Sequence, residues 1–98
     1  MSALNKSLAC IVKENHKPMG GGVVISARHV LSCAHVIADS LSIPRTQAEL
    51  PKGVVWLMFP LLGEERLFSA RVMYWVPVKR DNRVEDIGDI AVLELIEM

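Results

Sequence analysis

Short runs of apolar, often β-branched residues separated by turn-forming residues dominate this chain. The clearest run is 90–96 (IAVLELI), in which Ala91, Leu93 and Leu95 alternate with other positions and therefore share one face, with Glu94 on the other. A period of two residues is typical of a β-strand with one buried face. Apolar, often β-branched runs bounded by turn residues predict five further strands at residues 7–13, 22–27, 30–36, 54–62 and 67–78, of which 54–62 is nearly continuously apolar and 67–78 is bent.

The predicted connections between these strands are mostly short. Residues 15–20 (NHKPMG) combine proline and glycine, which favours a turn. Arg28 and His29 make so tight a connection that the strands on either side should form a hairpin. The longest connection, 37–53, has two prolines and no sustained period, so we predict one helical turn after His35 and then a surface loop.

Six short strands without a long helix, a repeat or a linker predict an all-β fold, a small six-stranded antiparallel barrel of Greek-key type. Closing the sheet into a barrel removes its exposed edges. A chain of 98 residues forms one small domain at most, so we assign residues 1–98 to a single barrel domain.

Composition adds an expectation about partners. Eleven basic residues balance eleven acidic ones, so there is no electrostatic case for binding nucleic acid or an acidic membrane. The mixed-sign cluster at 79–86 is expected to be a solvated loop. Hydrophobic residues make up 51% of the chain, more than one small core needs, which favours an apolar partner surface and self-association of the isolated chain.

The sequence favours a cytoplasmic location. The first ten residues (MSALNKSLAC) have no apolar run after a basic start, and no stretch approaches the roughly 18 apolar residues of a membrane helix. The two cysteines, Cys10 and Cys33, do not form the spacing pattern of a disulfide framework.

Three local features carry candidate chemistry. Glycines 20–22 lead into a strand, and the apolar segment 30–36 (VLSCAHV) reaches small residues and then His35. Asp89 opens a buried strand, where its carboxylate could accept a hydrogen bond from an imidazole and fix its tautomer. Asp86 is the alternative acid, but Gly88 separates it from the apolar run that Asp89 adjoins.

These segments resemble the trypsin-like (chymotrypsin-fold) serine peptidases. That family has a Gly-Gly-x-[apolar] strand, then Leu-[Ser/Thr]-[small]-Ala-His, then Asp-Ile-Ala-[apolar]-Leu, and the likeness extends from Ser7 to Leu95. It implies that His35 is the general base, that Asp89 is the acid orienting it, and that the chain is the first of two barrels. The implied activity is peptide-bond hydrolysis by a serine endopeptidase whose nucleophile lies in a C-terminal second barrel.

The departures from the family pattern refine this expectation. Gly20 and Val36 stand where digestive members carry a bridged cysteine pair, which favours a bacterial or intracellular type of member. No Gly-Asp-Ser-Gly segment is present, so we expect the 98 residues alone to be inactive towards a polypeptide substrate. The alternative is a non-catalytic interaction or regulatory module of a larger protein that keeps the fold and binds a partner through its open face.

Other candidates receive structural interpretations. Cys33 would lie on the same strand as His35, with alternate residues about 6–7 Å apart, so we predict a packed thiol rather than a nucleophile. No Cys-x-x-Cys or His-x-x-x-His spacing is present, so no metal and no cofactor are expected. Trp56, Tyr74 and Trp75 are expected to pack in the core or between barrels.

Overall fold

The computed structural model describes residues 8–60, 66–78 and 88–96. Within these ranges the chain forms six strands and one short helix. In chain order they are β1 (Leu8–Val12), β2 (Pro18–Val24), β3 (His29–Ser32), α1 (Ala34–Leu41), β4 (Val55–Met58), β5 (Phe68–Val76) and β6 (Ile90–Leu95). The predicted loop at 79–86, including Asp86, lies outside the described residues.

The six strands form a closed antiparallel barrel in the order β1-β2-β3-β6-β5-β4. Because β4 returns to lie beside β1, the first four strands have the spatial order 4-1-2-3 that defines a Greek key. The predicted small all-β barrel is therefore confirmed. The last strand, β6, lies between β3 and β5 and closes the sheet.

Alternation along the strands produces the core. Ile11, Leu57 and Leu93 come from three different strands and are fully buried. On β6, the predicted inward face is confirmed, since Leu93 and its alternate neighbours are buried. Glu94 points outwards and pairs with Arg71 of β5 at 2.6 Å, and this hydrogen bond lowers the pKa of the Glu94 carboxyl.

The fifth strand, for which a bend is predicted, has an irregularity in its pairing, because the β5–β6 register shifts between Val72 and Tyr74. Trp75 is half-buried against the core, and its indole N–H donates to the Gln47 carbonyl at 2.8 Å. Tyr74 is 55% exposed and is not part of this core. Packing of Tyr74 against another domain stays a prediction.

The bounds of β2 and β3 differ from the prediction by several residues. Strand β2 begins at Pro18, because Gly20 of the predicted turn and the adjoining Gly21 pair in register with β1. Strand β3 ends at Ser32, and a helix of eight residues begins at Ala34. The predicted strand over 30–36 is therefore confirmed for 30–32 and wrong for 33–36, and the helix predicted after His35 begins before that residue and is longer than one turn.

The physical reason for this helix is a change of period. Ala34, Ile37 and Ala38 are fully buried and have the i, i+3, i+4 spacing of one helical face. That face packs on the barrel, so tertiary burial favours the helix over further strand. No helix in the described ranges has the length and apolar character needed to cross a membrane.

Gly20 is a position at which the helix and the barrel approach closely. A Cβ atom there would lie 2.7 Å from both γ-methyl carbons of Val36. We expect Gly20→Ala to lower the free energy of unfolding by about 1–3 kcal/mol through overpacking. Urea unfolding in a Val36→Ala background should show most of that cost relieved, whereas an equal cost in both backgrounds would contradict the contact.

Candidate active site

His35 and Asp89 meet through two separate hydrogen bonds. The ring Nδ1 of His35 lies 2.6 Å from Oδ2 of Asp89, and the backbone N–H of His35 donates to Oδ1 at 2.7 Å. An ionised carboxylate only accepts hydrogen bonds, so Nδ1 carries the proton and Nε2 of the neutral ring is left with its lone pair. This is the tautomer that a general base needs.

The start of α1 explains why the two residues are held so closely. Cys33 is the N-cap residue, in an extended conformation, but its side chain forms no capping hydrogen bond. The backbone N–H of His35, second in the helix, is one of the donors that a helix start leaves unsatisfied. Asp89, just before the neighbouring strand β6, supplies the acceptor, and its negative charge at the helix N-terminus is favourable.

The backbone of Asp89 is itself unusual. Its φ is 64°, in the left-handed region that aspartate tolerates better than most residues. The preceding Gly88 lies so close to the end of β5 that a Cβ atom would be 2.9 Å from the Pro77 carbonyl oxygen. Non-glycine residues in this region are often found at functional sites, where the surrounding structure holds them in place.

An apolar groove of about 620 Å³ has Asp89 in its lining. The lining also includes Leu8, Val23, Leu31 and Ile90, whose exposed fractions range from 39% to 48%. Exposed apolar side chains that line one groove in this way are uncommon on the surface of a soluble monomer, and they favour contact with another molecule or domain. The side chains of the catalytic candidates remain accessible beside it, 37% exposed for the histidine and 35% for Asp89.

Cys33 is the neighbour that the sequence did not predict. It is exposed, so the predicted packed thiol is wrong. Its Sγ, a ring nitrogen of His35 and a carboxylate oxygen of Asp89 all lie within 4.8 Å of one another. The strand-spacing argument fails because β3 ends before Cys33 and His35 lies on the helix. The helical spacing of Ala34, Ile37 and Ala38 was the signal that could have revealed this.

The described serine hydroxyls that form hydrogen bonds do so away from this pair. Ser32 donates to the Gly21 carbonyl at 2.7 Å, which ties β3 to β2 in the groove lining. Ser26 pairs with Nδ1 of His29 at 2.6 Å. On the opposite side of that ring, Nε2 is 3.7 Å from a Glu94 oxygen, which is too long for a hydrogen bond.

The arrangement of Ser26, His29 and Glu94 has a structural explanation. Ser26 and His29 span the tight β2–β3 turn, and the backbone N–H of Arg28 donates to the same Ser26 oxygen. Glu94 is already engaged by Arg71. We therefore interpret the Ser26–His29 contact as a turn-stabilising interaction.

No family model matches this chain, and no curated protein matches it either.

Proposed function

We propose that this chain supplies the histidine and the aspartate of a Ser-His-Asp catalytic triad in a serine endopeptidase. The observation that carries the proposal is the 2.6 Å contact between His35 Nδ1 and Asp89 Oδ2. Because Nδ1 is engaged by Asp89, Nε2 is the ring nitrogen left for a substrate or a nucleophile. The contact lies at the start of a helix, beside an open groove. The order and spacing of the two residues in the sequence are those of the resemblance described above.

The proposed chemistry assigns one role to each residue. His35 Nε2 takes the proton of a serine hydroxyl as its oxygen attacks the scissile carbonyl, and the imidazolium then gives that proton to the leaving amine. Asp89 keeps the ring in the required tautomer and stabilises the imidazolium. A water, deprotonated by the same nitrogen, then hydrolyses the acyl-enzyme and regenerates the serine.

The partner in this proposal is a second barrel that carries the serine. The apolar groove supports it, because Leu31 and Ile90, exposed in this chain, lie in the same lining as Asp89. A domain covering these side chains would bury them and would bring its own residues to the edge of the pair. In the chain by itself, the same surface is where we expect self-association.

A covalent reagent tests the proposal. The natural full-length gene product, treated with a fluorophosphonate, should become labelled at a serine outside residues 1–98, which peptide mapping by mass spectrometry would locate. The 98-residue chain should neither become labelled nor hydrolyse a casein substrate. Hydrolysis by the purified 98 residues that disappears in His35→Ala would contradict the proposed division of the triad. A folded full-length product that resists the reagent would contradict the enzyme itself.

The second candidate is a non-catalytic module that works by contact. The same exposed apolar groove favours it, since such a surface can bind a partner without any chemistry. The reagent separates the two candidates. If a natural product without a reactive serine nevertheless loses partner binding or self-association in Leu31→Asp, the module is supported.

A further inference from the structure

The proximity of Cys33 to the histidine–aspartate pair creates a second kind of site. A thiol sulfur, an imidazole nitrogen and a carboxylate oxygen lie within 4.8 Å of one another, and all three side chains are accessible. Thiolate, imidazole and carboxylate are the side-chain ligands that zinc uses in proteins.

The distances are close to those that a metal would require. Tetrahedral zinc, with bonds of about 2.3 Å to sulfur and about 2.0–2.1 Å to nitrogen and oxygen, holds neighbouring ligand atoms about 3.3–3.6 Å apart. The 2.6 Å nitrogen–oxygen contact is shorter than this, and the 4.8 Å limit of the cluster is longer. Side-chain rotations that move the donor atoms by about 1 Å would therefore bring the three donors to one ion. Cys33 can make such a rotation because its side chain forms no capping hydrogen bond.

Asp89 is well suited to such a site because its two oxygens are already divided. Oδ1 accepts the backbone N–H of His35 at 2.7 Å, and Oδ2 faces the imidazole. A ligating carboxylate is commonly held by a hydrogen bond of this kind, which orients it towards the metal. The helix start can thus hold the carboxylate in place while its other oxygen binds an ion.

We propose that Cys33, His35 and Asp89 form a binding site for Zn²⁺, with the fourth tetrahedral position open to water. On binding, the ion replaces the proton of the Cys33 thiol, which is released to solvent, and the imidazole proton moves from Nδ1 to Nε2, so that Nδ1 binds the ion as part of a neutral ring. Spacing in the sequence argues against zinc because Cys33 and His35 are only two residues apart. The third ligand arrives from 54 positions away when β6 pairs with β3.

This inference goes beyond the proposed function and does not depend on it, because it concerns only three side chains of the described barrel. If the peptidase proposal also holds, the ion binds the His35 imidazole and the Asp89 carboxylate, which general-base catalysis requires to be free. Zinc would then inhibit the enzyme reversibly.

Cobalt titration of the reduced 98-residue chain tests the site directly. We expect one Co²⁺ per chain, with visible bands of tetrahedral cobalt and a sulfur-to-cobalt charge-transfer band, and displacement by Zn²⁺ should give the zinc affinity. Cys33→Ser should abolish the charge-transfer band. It should also weaken Zn²⁺ binding by about 100-fold or more, because losing a residue that only hydrogen-bonds to a ligand already costs up to about 100-fold in metal affinity. His35→Ala should weaken Zn²⁺ binding to a similar extent.

Matched variants keep this test decisive. Cys10→Ser removes the other thiol, and His29→Ala removes a histidine of β3 that lies outside the cluster, so both variants should bind Zn²⁺ as the parent chain does. Circular dichroism should show that Cys33→Ser keeps the fold, since the side chain is exposed. The site is overturned if the parent chain binds neither ion, if Cys33→Ser binds Zn²⁺ unchanged, or if Cys10→Ser removes the charge-transfer band.

Discussion

Replacing His35 with alanine in the natural full-length protein should lower kcat for peptide hydrolysis by about 10⁶-fold, the size reported for loss of a triad base. Without the ring, no group takes the serine proton or returns it to the leaving amine. The measurement is kcat on a fluorogenic peptide, with the parent enzyme's active sites counted by burst titration and the variant's concentration taken from its absorbance. His29→Ala is the matched control and should keep near-parental kcat, because that ring pairs with Ser26 on the β2–β3 turn.

Asp89→Asn separates the two functions of this carboxylate within the same experiment. The asparagine carbonyl can still accept the backbone N–H of His35, so α1 should keep its start and the free energy of unfolding should change little. Its amide group, however, would donate towards Nδ1 and favour the wrong ring tautomer, which should lower kcat by about 10⁴-fold. An unchanged kcat in a folded Asp89→Asn variant would show that Asp89 acts only as a cap and does not orient the imidazole.

The second large effect concerns the core. Leu93→Ala should lower the free energy of unfolding by about 3–5 kcal/mol, because Leu93 is fully buried where β6 meets β3 and β5. Small domains have about 5–15 kcal/mol in total, so this variant should be close to unfolded under mild denaturant. Urea titration followed by the fluorescence of Trp56 and Trp75 gives the value.

Leu50→Ala provides the matched control for that prediction. The chemical change is identical, but Leu50 is 48% exposed, so the cost should stay below about 1 kcal/mol. Equal costs at Leu50 and Leu93 would mean that the β6 face does not form the core described above.

The strands and the candidate pair could be predicted because their signals are local. Alternation identified the inward face of β6, and the positions of His35 and Asp89 on short motifs identified the two residues that the structure brings together. Local signals alone, however, do not assign the segment 30–36. Its apolar positions fit both a strand and the first turn of a helix, and only packing against the barrel decides between them.

What could not be predicted depends on contacts between distant parts of the chain. The capping of α1 by Asp89 needs the β3–β6 pairing, which no local pattern specifies. The exposure of Cys33 follows from the same helix start. Pairing of the glycines in β2 with β1 likewise overrode their turn preference, because the register between the two strands holds them extended.

The position of β6 between β3 and β5 also determines when the His35–Asp89 pair can form during synthesis of the chain. His35 leaves the ribosome 54 residues before Asp89, which at about 5–20 residues per second is a wait of roughly 3–11 s. During that interval α1 has no carboxylate to receive its first N–H groups, and the imidazole has no acid to orient it. The pair can form only when the last strand enters the sheet, so a nascent chain cannot assemble these two groups before its barrel closes.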